Sequence, residues 1–391
     1  MVKGEEKVVV VKRKPSKKRH FWCYRDEIIQ VKGNPQKGDV VSVYEGEKFI
    51  GKGFWNPASS VRLRIFSPEG EDFDVPFLKK RILTAYQHRK ALLPEEEDFR
   101  LVYGESDSLP GVVIDKYQNC FVLQTYSYGA DLRKDKIIKA LCEIFPVQGV
   151  FEKNDFSGRT VEGLERKEGL LYGEIPEEVI ISENGAKFYV NIKEGQKTGY
   201  YFDQRLTRRR VREMSAGKEV LDVFTYTGSF SINACLGGAK SSLGIDGSQW
   251  ALNLARKNAE LNKVSDRCQF LLGNAFNLLR ELYRARRRFD IVVLDPPPFI
   301  KTLKDKEDGF RGYRDINLQA MRLLRSGGIL FTSTCSHYFF WQDFLECLVS
   351  AAEDAQRDFR IIGRLTQGPD HPIILSMPES EYLRCFILEV Y

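Results

Sequence analysis

Apolar and polar residues alternate in short runs over the first 75 positions. Runs at 6–11, 27–31, 40–44, 49–54 and 61–65 have the period of two that turns one face of a strand toward a core. Gly33-Asn34-Pro35, Lys37-Gly38-Asp39 and Glu45-Gly46-Glu47 separate them as turns. Strands this short and regularly spaced predict a small β-barrel. From 77 the spacing becomes helical, with Leu78, Ile82, Leu83 and Tyr86 on one stripe, and predicts a helix over 77–92. Alternation returns after Phe99 around the turns SDSLPG and KYQN, which predicts an antiparallel meander. A second helix is expected over 131–145, ended by Pro146, and a further strand over 150–153. Residues 76–185 therefore read as an α+β unit.

Beyond 186 strands and helices take turns. An extended run at 188–192 leads into the glycine-rich loop GQKTGYYFDQR, and a helix is expected to start near Asp203 as its N-cap. A strand at 220–223, a turn at Thr227-Gly228-Ser229, a helix over 230–236 stopped by Gly237 and Gly238, and a strand at 243–245 ending in Asp246 follow. Then come a helix over 248–261, a strand at 268–272, a helix through 283, and an apolar strand at 289–294. A helix over about 315–324, the turn Ser326-Gly327-Gly328 and a strand at 329–333 complete the series. One strand per helix, with a largely apolar strand such as that at 289–294, is the pattern of a doubly wound parallel sheet. The expected organisation is multidomain: a barrel over 1–75, an α+β domain over 76–185 and an α/β Rossmann-like sheet over 186–391.

Composition adds little to this picture. At 391 residues, 42% hydrophobic and 29% charged, the chain has enough core for two or three domains. The net charge of +6 says less than its distribution. KRKPSKKRH at 12–20, RLTRRRVR at 205–212 and RARRR at 284–288 suit phosphate backbones, although any one of them reads equally well as a solvated face. In the barrel, Arg19, Arg62 and Arg64 interleave with Phe21, Trp22, Phe54 and Trp55, a mixture fitting RNA; core packing is the alternative for each ring. The eight cysteines form no C-x-x-C pair, so neither a zinc ribbon nor a redox motif is expected, and no metal site. The valine run 8–11 is too short for a leader or a membrane span, and a reducing cytoplasm is the expected compartment.

The candidate chemistry lies at strand ends, where open α/β sheets bind ligands. Gly228 lets backbone approach a ligand, and Asp246, at the tip of the next strand, is placed to accept from two ribose hydroxyls. No G-x-G-x-x-G is present, so a dinucleotide is the poorer fit. An ordinary βαβ unit without ligand is the alternative. Asn274 ends the third strand with an amide able to meet an adenine edge. Asp295-Pro296-Pro297-Pro298-Phe299 holds a carboxylate in a rigid extended segment, suited to a planar base. The acid would read the base edge while Pro296, Pro297 and Phe299 pack its face. Thr334-Cys335-Ser336 puts a thiol just past a neighbouring strand end. A thiolate adding to a pyrimidine ring carbon activates the adjacent carbon toward a methyl donor. A buried structural cysteine is the alternative. Tyr313 and Asp315 are candidates to line the pocket, Lys301, Lys304 and Lys306 to grip a phosphate, and His337 is better read as surface or packing.

Together GQKTGYYFDQR, LDVFTYTGSFSINACLGGA, Asp246, DPPPF, RGYRDIN, TCS and the late DHP and YL segments resemble the 23S rRNA cytosine-5 methyltransferase I family, over essentially the whole chain. The resemblance implies a class I methyltransferase using S-adenosylmethionine, RNA as partner, an N-terminal PUA module that helps bind it, and often a dimer. It implies Tyr201, Phe202, Gln204 and Arg205 in a loop over the methionine part, and Phe224, Tyr226, Thr227 and Gly228 around the cofactor. Asp246 would lie on the ribose, Asn274 at the adenine, Asp295 at the target cytosine beside the cofactor, and Cys335 would be the nucleophile. Pro298 and Asn274 depart from the family pattern, where a non-proline residue and an acid are usual. Two other functions remain open: guanine-N methylation of rRNA, which needs no thiol, and a non-catalytic RNA-binding ribosome-assembly factor.

Overall fold

The computed structural model describes residues 6–14 and 19–391, so the middle of the basic run at 12–20 lies outside the described residues. The chain forms two compact units. One comprises residues 1–181, 190–202 and 369–380, the other 182–189, 203–368 and 381–391.

In the first unit, six short strands make a curled sheet. Their spatial order is Trp22–Tyr24, Val61–Ser67, Lys48–Trp55, Val40–Glu45, Val8–Val11 and Ile28–Lys32. All neighbours are antiparallel except Val8–Val11 beside Val40–Glu45. The alternation seen in the sequence is the alternation of burial: Val9, Val11, Val41, Val43, Leu63 and Ile65 point inward. The strand Trp22–Tyr24 was not expected. A five-stranded sheet follows, ordered Lys167–Gly173, Gly149–Asn154, Cys120–Thr125, Val112–Tyr117 and Phe99–Tyr103. The helix Val75–Leu92 covers it. Asp74 caps that helix by accepting from the Phe77 amide, and Pro76 occupies its first turn. The expected helix over 131–145 is instead two, Tyr128–Asp131 and Lys134–Ile144, interrupted where Arg133 turns its guanidinium to the carbonyls of Gly38 and Gly129.

The aromatic and basic mixture of the barrel resolves mostly into core. Phe54 packs on Phe66 and Phe73, and Trp55 is buried. Arg64 is a correction to the sequence reading, which placed it against RNA. Its guanidinium is closed between Glu105 and Glu162, at 3.0 Å from each, and is buried with both. Removing one member of a buried ion network leaves the others uncompensated. Arg64→Ala is therefore expected to cost about 3–5 kcal/mol in chemical denaturation. A variant that loses RNA affinity at unchanged stability would return Arg64 to the RNA surface. Arg89 forms a similar buried bidentate pair with Asp107.

The second unit is built on a seven-stranded sheet. Its strands are β1 (Glu219–Val223), β2 (Ser241–Asp246), β3 (Cys268–Leu272), β4 (Phe289–Leu294), β5 (Leu324–Thr334), β6 (Phe359–Thr366) and β7 (Arg384–Val390). The spatial order is β3-β2-β1-β4-β5-β7-β6, parallel through β5 with β7 antiparallel to both neighbours. The helices are α1 (Arg205–Met214), α2 (Ser229–Leu236), α3 (Gln249–Leu261), α4 (Ala275–Arg284), α5 (Lys306–Leu323) and α6 (Trp341–Ala355). Helix α5 begins about nine residues earlier than its sequence pattern predicts, because Gly309 and Gly312 act as packing residues. A Cβ on Gly309 would lie 2.2 Å from Ile300, and one on Gly312 3.2 Å from the Phe299 ring. The absent side chains let α5 press against the segment that follows β4. Among the described residues no helix is long and apolar enough to cross a membrane.

Candidate active site

The parallel strands β1, β2 and β4 end at neighbouring points, so their following residues converge by topology alone. After β1 the chain turns sharply. Phe224 and Tyr226 take positive φ of 67° and 48°, and Gly228 one of 83°. Two non-glycine residues in the left-handed region are costly and persist only when surrounding contacts enforce them. The enforcing contacts are visible. The Thr225 amide donates to Ile245, and the Tyr226 amide donates to Asp246 Oδ2 at 2.9 Å. Gly228 lies against Ala255 and Phe270, where a Cβ would come within 3.1 Å.

Asp246 is oriented from both sides, since the Ser248 amide donates to its other oxygen at 2.9 Å. An ionised carboxylate has about four acceptor positions. Two are used by backbone amides, and the half-exposed group keeps acceptor capacity for a diol. Tyr226 and Trp250 stand 6.2 Å apart beside it. Asn274 is exposed, but its Oδ1 accepts from the Asn277 amide and caps α4. The cap fixes which end of the amide a ligand would meet, a point the sequence leaves open.

Beneath the turn is a network the sequence reading missed. Asp222 Oδ2 accepts from the Thr225 hydroxyl and from both the amide and hydroxyl of Ser231. The other oxygen, Oδ1, is buried without a hydrogen-bond partner. Burial pushes this carboxyl up to about 6, against the pull of the Thr225 and Ser231 donors, and the Asp246 charge adds to the rise. The available signal was one acid inside the apolar run Val220–Val223, with Thr225 three residues on. A carboxyl raised on folding contributes stability that is full below about pH 4 and lost as pH climbs through about 6. The loss amounts to about 3 kcal/mol. Asp222→Asn is expected to flatten this decline in denaturation curves taken from pH 4 to 7.5. An unchanged profile would assign the decline to other groups.

After β4, Asp295 is half-buried and accepts from Gln204 Nε2 at 2.7 Å. Gln204 is buried and its Oε1 has no partner, so its placement serves Asp295. Asp203 is not the N-cap of α1. It lies in a 3-10 turn with Gln204 at the cap position, and accepts from the Tyr382 hydroxyl at 2.6 Å. Pro296 is buried, Pro297 exposed and Pro298 half-buried. The half-buried Phe299 ring packs on Tyr313 at 4.7 Å.

After β5 the three residues of TCS divide. Thr334 and Ser336 are buried and Cys335 is partly exposed, as alternation along an extended chain requires. Tyr313 ties the two buried hydroxyls together, accepting from Thr334 at 2.8 Å and lying 2.9 Å from Ser336. Ser336 also accepts from the Ile300 amide at 3.2 Å. Tyr313 is thus a clamp under the thiol and not a pocket wall. Burial first, then the charge at Cys335, pushes its phenol up to about 12, so it stays a donor. Asp315 is turned away to Arg280, Lys306 pairs with Asp343, and Lys301 and Lys304 are exposed. His337 is exposed, with its ring 6.1 Å from that of Tyr382.

Four further residues with expected ligand contacts have protein partners. Arg205 is buried beside Glu183, which Arg208 holds through two bonds. Phe202 is buried in the first unit between Tyr117 and Tyr200, at 5.3 Å from each ring. Tyr201, in the same unit, donates to Gln196. Arg64 is committed as described above. Arg19 is exposed and Arg62 half-buried.

A family model described as S-adenosylmethionine-dependent methyltransferase covers residues 166–379, and one described as a PUA-like domain covers residues 11–68. The ribosomal RNA large subunit methyltransferase I of Vibrio vulnificus is 41% identical over 100% of this chain and 98% of its own. The protein of that name from Pseudoalteromonas atlantica is 40% identical over 95% of this chain and 96% of its own. Among solved structures, a proposed SAM-dependent methyltransferase from Streptococcus mutans superposes with a TM-score of 0.83 at 23% identity, covering 98% of this chain and all of that one. A similar structure, complexed with SAH, gives 0.83 at 24% identity, covering 98% and 99%.

Proposed function

This chain belongs to the S-adenosylmethionine-dependent ribosomal RNA large subunit methyltransferase I family, and on that premise we propose that it forms 5-methylcytosine in 23S rRNA through a covalent cysteine adduct. The observation that carries the specific reading is Cys335. It is the half-exposed member of a turn whose two flanking hydroxyls are locked to Tyr313, next to the strand that presents Asp295.

The cofactor, when bound, supplies an electrophilic methyl group. Cys335 Sγ adds to C6 of the cytosine, and the electron pair displaced toward C5 makes that carbon the nucleophile that takes the methyl. Loss of the C5 proton then restores the ring double bond as the C6–S bond breaks and releases the thiolate. Asp295, oriented by Gln204, accepts from the exocyclic amine and holds the ring edge. Pro296, Pro297 and Phe299 form the rigid platform for its face. Phe224, Tyr226, Thr227, Gly228, Asp246 and Asn274 make the cofactor half of the cleft. The PUA-like module, with Arg19 and Arg62, adds RNA contact. The division at 75 and 185 and a homodimer complete the reading, the latter resting on family resemblance and checked by sedimentation velocity.

RNA carrying 5-fluorocytidine at the target tests the chemistry directly. Fluorine at C5 leaves no proton to remove, so the adduct is expected to persist through denaturing electrophoresis. Normal turnover on cytidine with no trapped complex would overturn the mechanism. In cells lacking the protein, a 5-methylcytosine should be missing from 23S rRNA.

A further inference from the structure

The arginine run at 284–288 has no part in the cleft just described, yet the fold gives it a defined setting. It follows α4 and leads into β4, so it lies at the end of the sheet opposite Asp295. Six residues of β4 separate the two ends, about 20 Å at 3.3 Å per residue. A cleft of about 430 Å³ opens there, bordered by Tyr283, Arg288, Arg322, Arg325 and Arg357.

The four guanidinium groups are not equivalent. Arg325 is neutralised by Glu219 at 2.7 Å and Asp290 at 2.9 Å. Arg357 is held by the carbonyls of Met321, Leu324 and Arg325. Arg288 and Arg322 both sit on the ring of Tyr283, at 5.2 and 5.6 Å from its centroid. Their remaining protein bonds go to backbone carbonyls, of Arg287 and Asp354 respectively. Among the described residues, no carboxylate lies within ion-pair distance of Arg288, Arg322 or Arg357. Burial and then the Arg288 charge pull Arg357 below its ordinary value, as expected where positive charge exceeds what the protein supplies to balance it. Guanidinium groups held on one aromatic ring lose little freedom on meeting an anion.

We infer that this cleft is a second RNA contact, in which Arg288 and Arg322 clamp backbone phosphates of the substrate about 20 Å from the target base. The inference rests on the reading of rRNA as substrate. A folded RNA segment can span both ends of the sheet. Phosphate contacts of this kind set register and affinity without reading sequence.

The test uses the full chain and an rRNA fragment that wild type methylates. Binding is followed by anisotropy across a salt series for wild type and for Arg288→Ala/Arg322→Ala. The double variant is expected to bind about tenfold more weakly at 0.15 M salt and to lose roughly 1.5 from the slope of log K against log salt, the share of two phosphates. Its S-adenosylmethionine affinity and melting temperature should match wild type. Equal RNA affinity and slope in the two proteins would overturn the inference while leaving the methyltransferase reading intact. Wild type that binds no rRNA at all would overturn both. Inorganic phosphate raising the melting temperature of wild type alone, with RNA binding unchanged, would make the cleft a small-anion site instead.

Discussion

Replacing Cys335 with alanine is expected to stop methyl transfer while leaving both substrates bound. Carbon 5 of cytosine is a poor nucleophile until a neighbouring carbon carries an adduct, so losing the thiol removes the step that creates the nucleophile. A fall of at least about 10⁴ in kcat, or about 5.5 kcal/mol, is the scale set by losing a covalent route. Cofactor and RNA dissociation constants should change by less than about twofold, because Thr334 and Ser336 hold the turn through Tyr313 without help from the thiol. A variant that keeps substantial turnover would remove the adduct and favour methylation of a guanine nitrogen, which needs no thiol. Cys335→Ser offers the complementary measurement. A hydroxyl of similar size keeps the packing but is not ionised near neutral pH, so it should be almost as inactive.

Asp246→Ala is expected to raise the dissociation constant for S-adenosylmethionine by about 10², or about 3 kcal/mol, the worth of one to two hydrogen bonds to a charged acceptor. The carboxylate has two tasks. On the proposed reading it accepts from a ribose, and it receives the amides of Tyr226 and Ser248, which hold the left-handed turn after β1. Asp246→Asn separates them. The amide keeps one acceptor oxygen and loses the charge, and should fall between wild type and alanine in titration calorimetry. Alanine binding the cofactor as tightly as wild type would move the ribose contact to another residue.

The parts of this protein that could be read from sequence are those governed by near neighbours. Gly228, Asp246, Asp295 and Cys335 each stand after an apolar strand run, and such a run followed by a polar residue marks the end of a parallel strand. The N-terminal alternation likewise places Val9, Val11, Val41 and Val43 on one inner face. Long-range partners carry no such mark. Arg64 looked like an RNA contact because its two carboxylates lie 41 and 98 residues away in the chain. Asp203 looked like a cap because Tyr382, its actual partner, is 179 residues distant. Phe202 and Arg205 belong to a conspicuous motif, but motif membership does not say which side chains turn into the core. Helix α5 extends about nine residues beyond its sequence pattern, and it is the close approach of Ile300 and Phe299, outside the helix, that explains Gly309 and Gly312.

The position of β7 has a genetic consequence. This strand comes from residues 384–390, yet it lies inside the sheet, paired with β5 on one side and β6 on the other. Phe386, Leu388 and Val390 belong to the same core as Leu221 and Leu294. A chain terminated just before residue 384 would retain Gly228, Asp246, Asp295 and Cys335 and still lack the strand that joins β6 to the rest. It would also expose a bare edge on β5, ready to pair with another chain. Nonsense and frameshift alleles in the last few codons before that strand should therefore behave as full nulls, with the product found in aggregates, and not as mild alleles missing a dispensable tail.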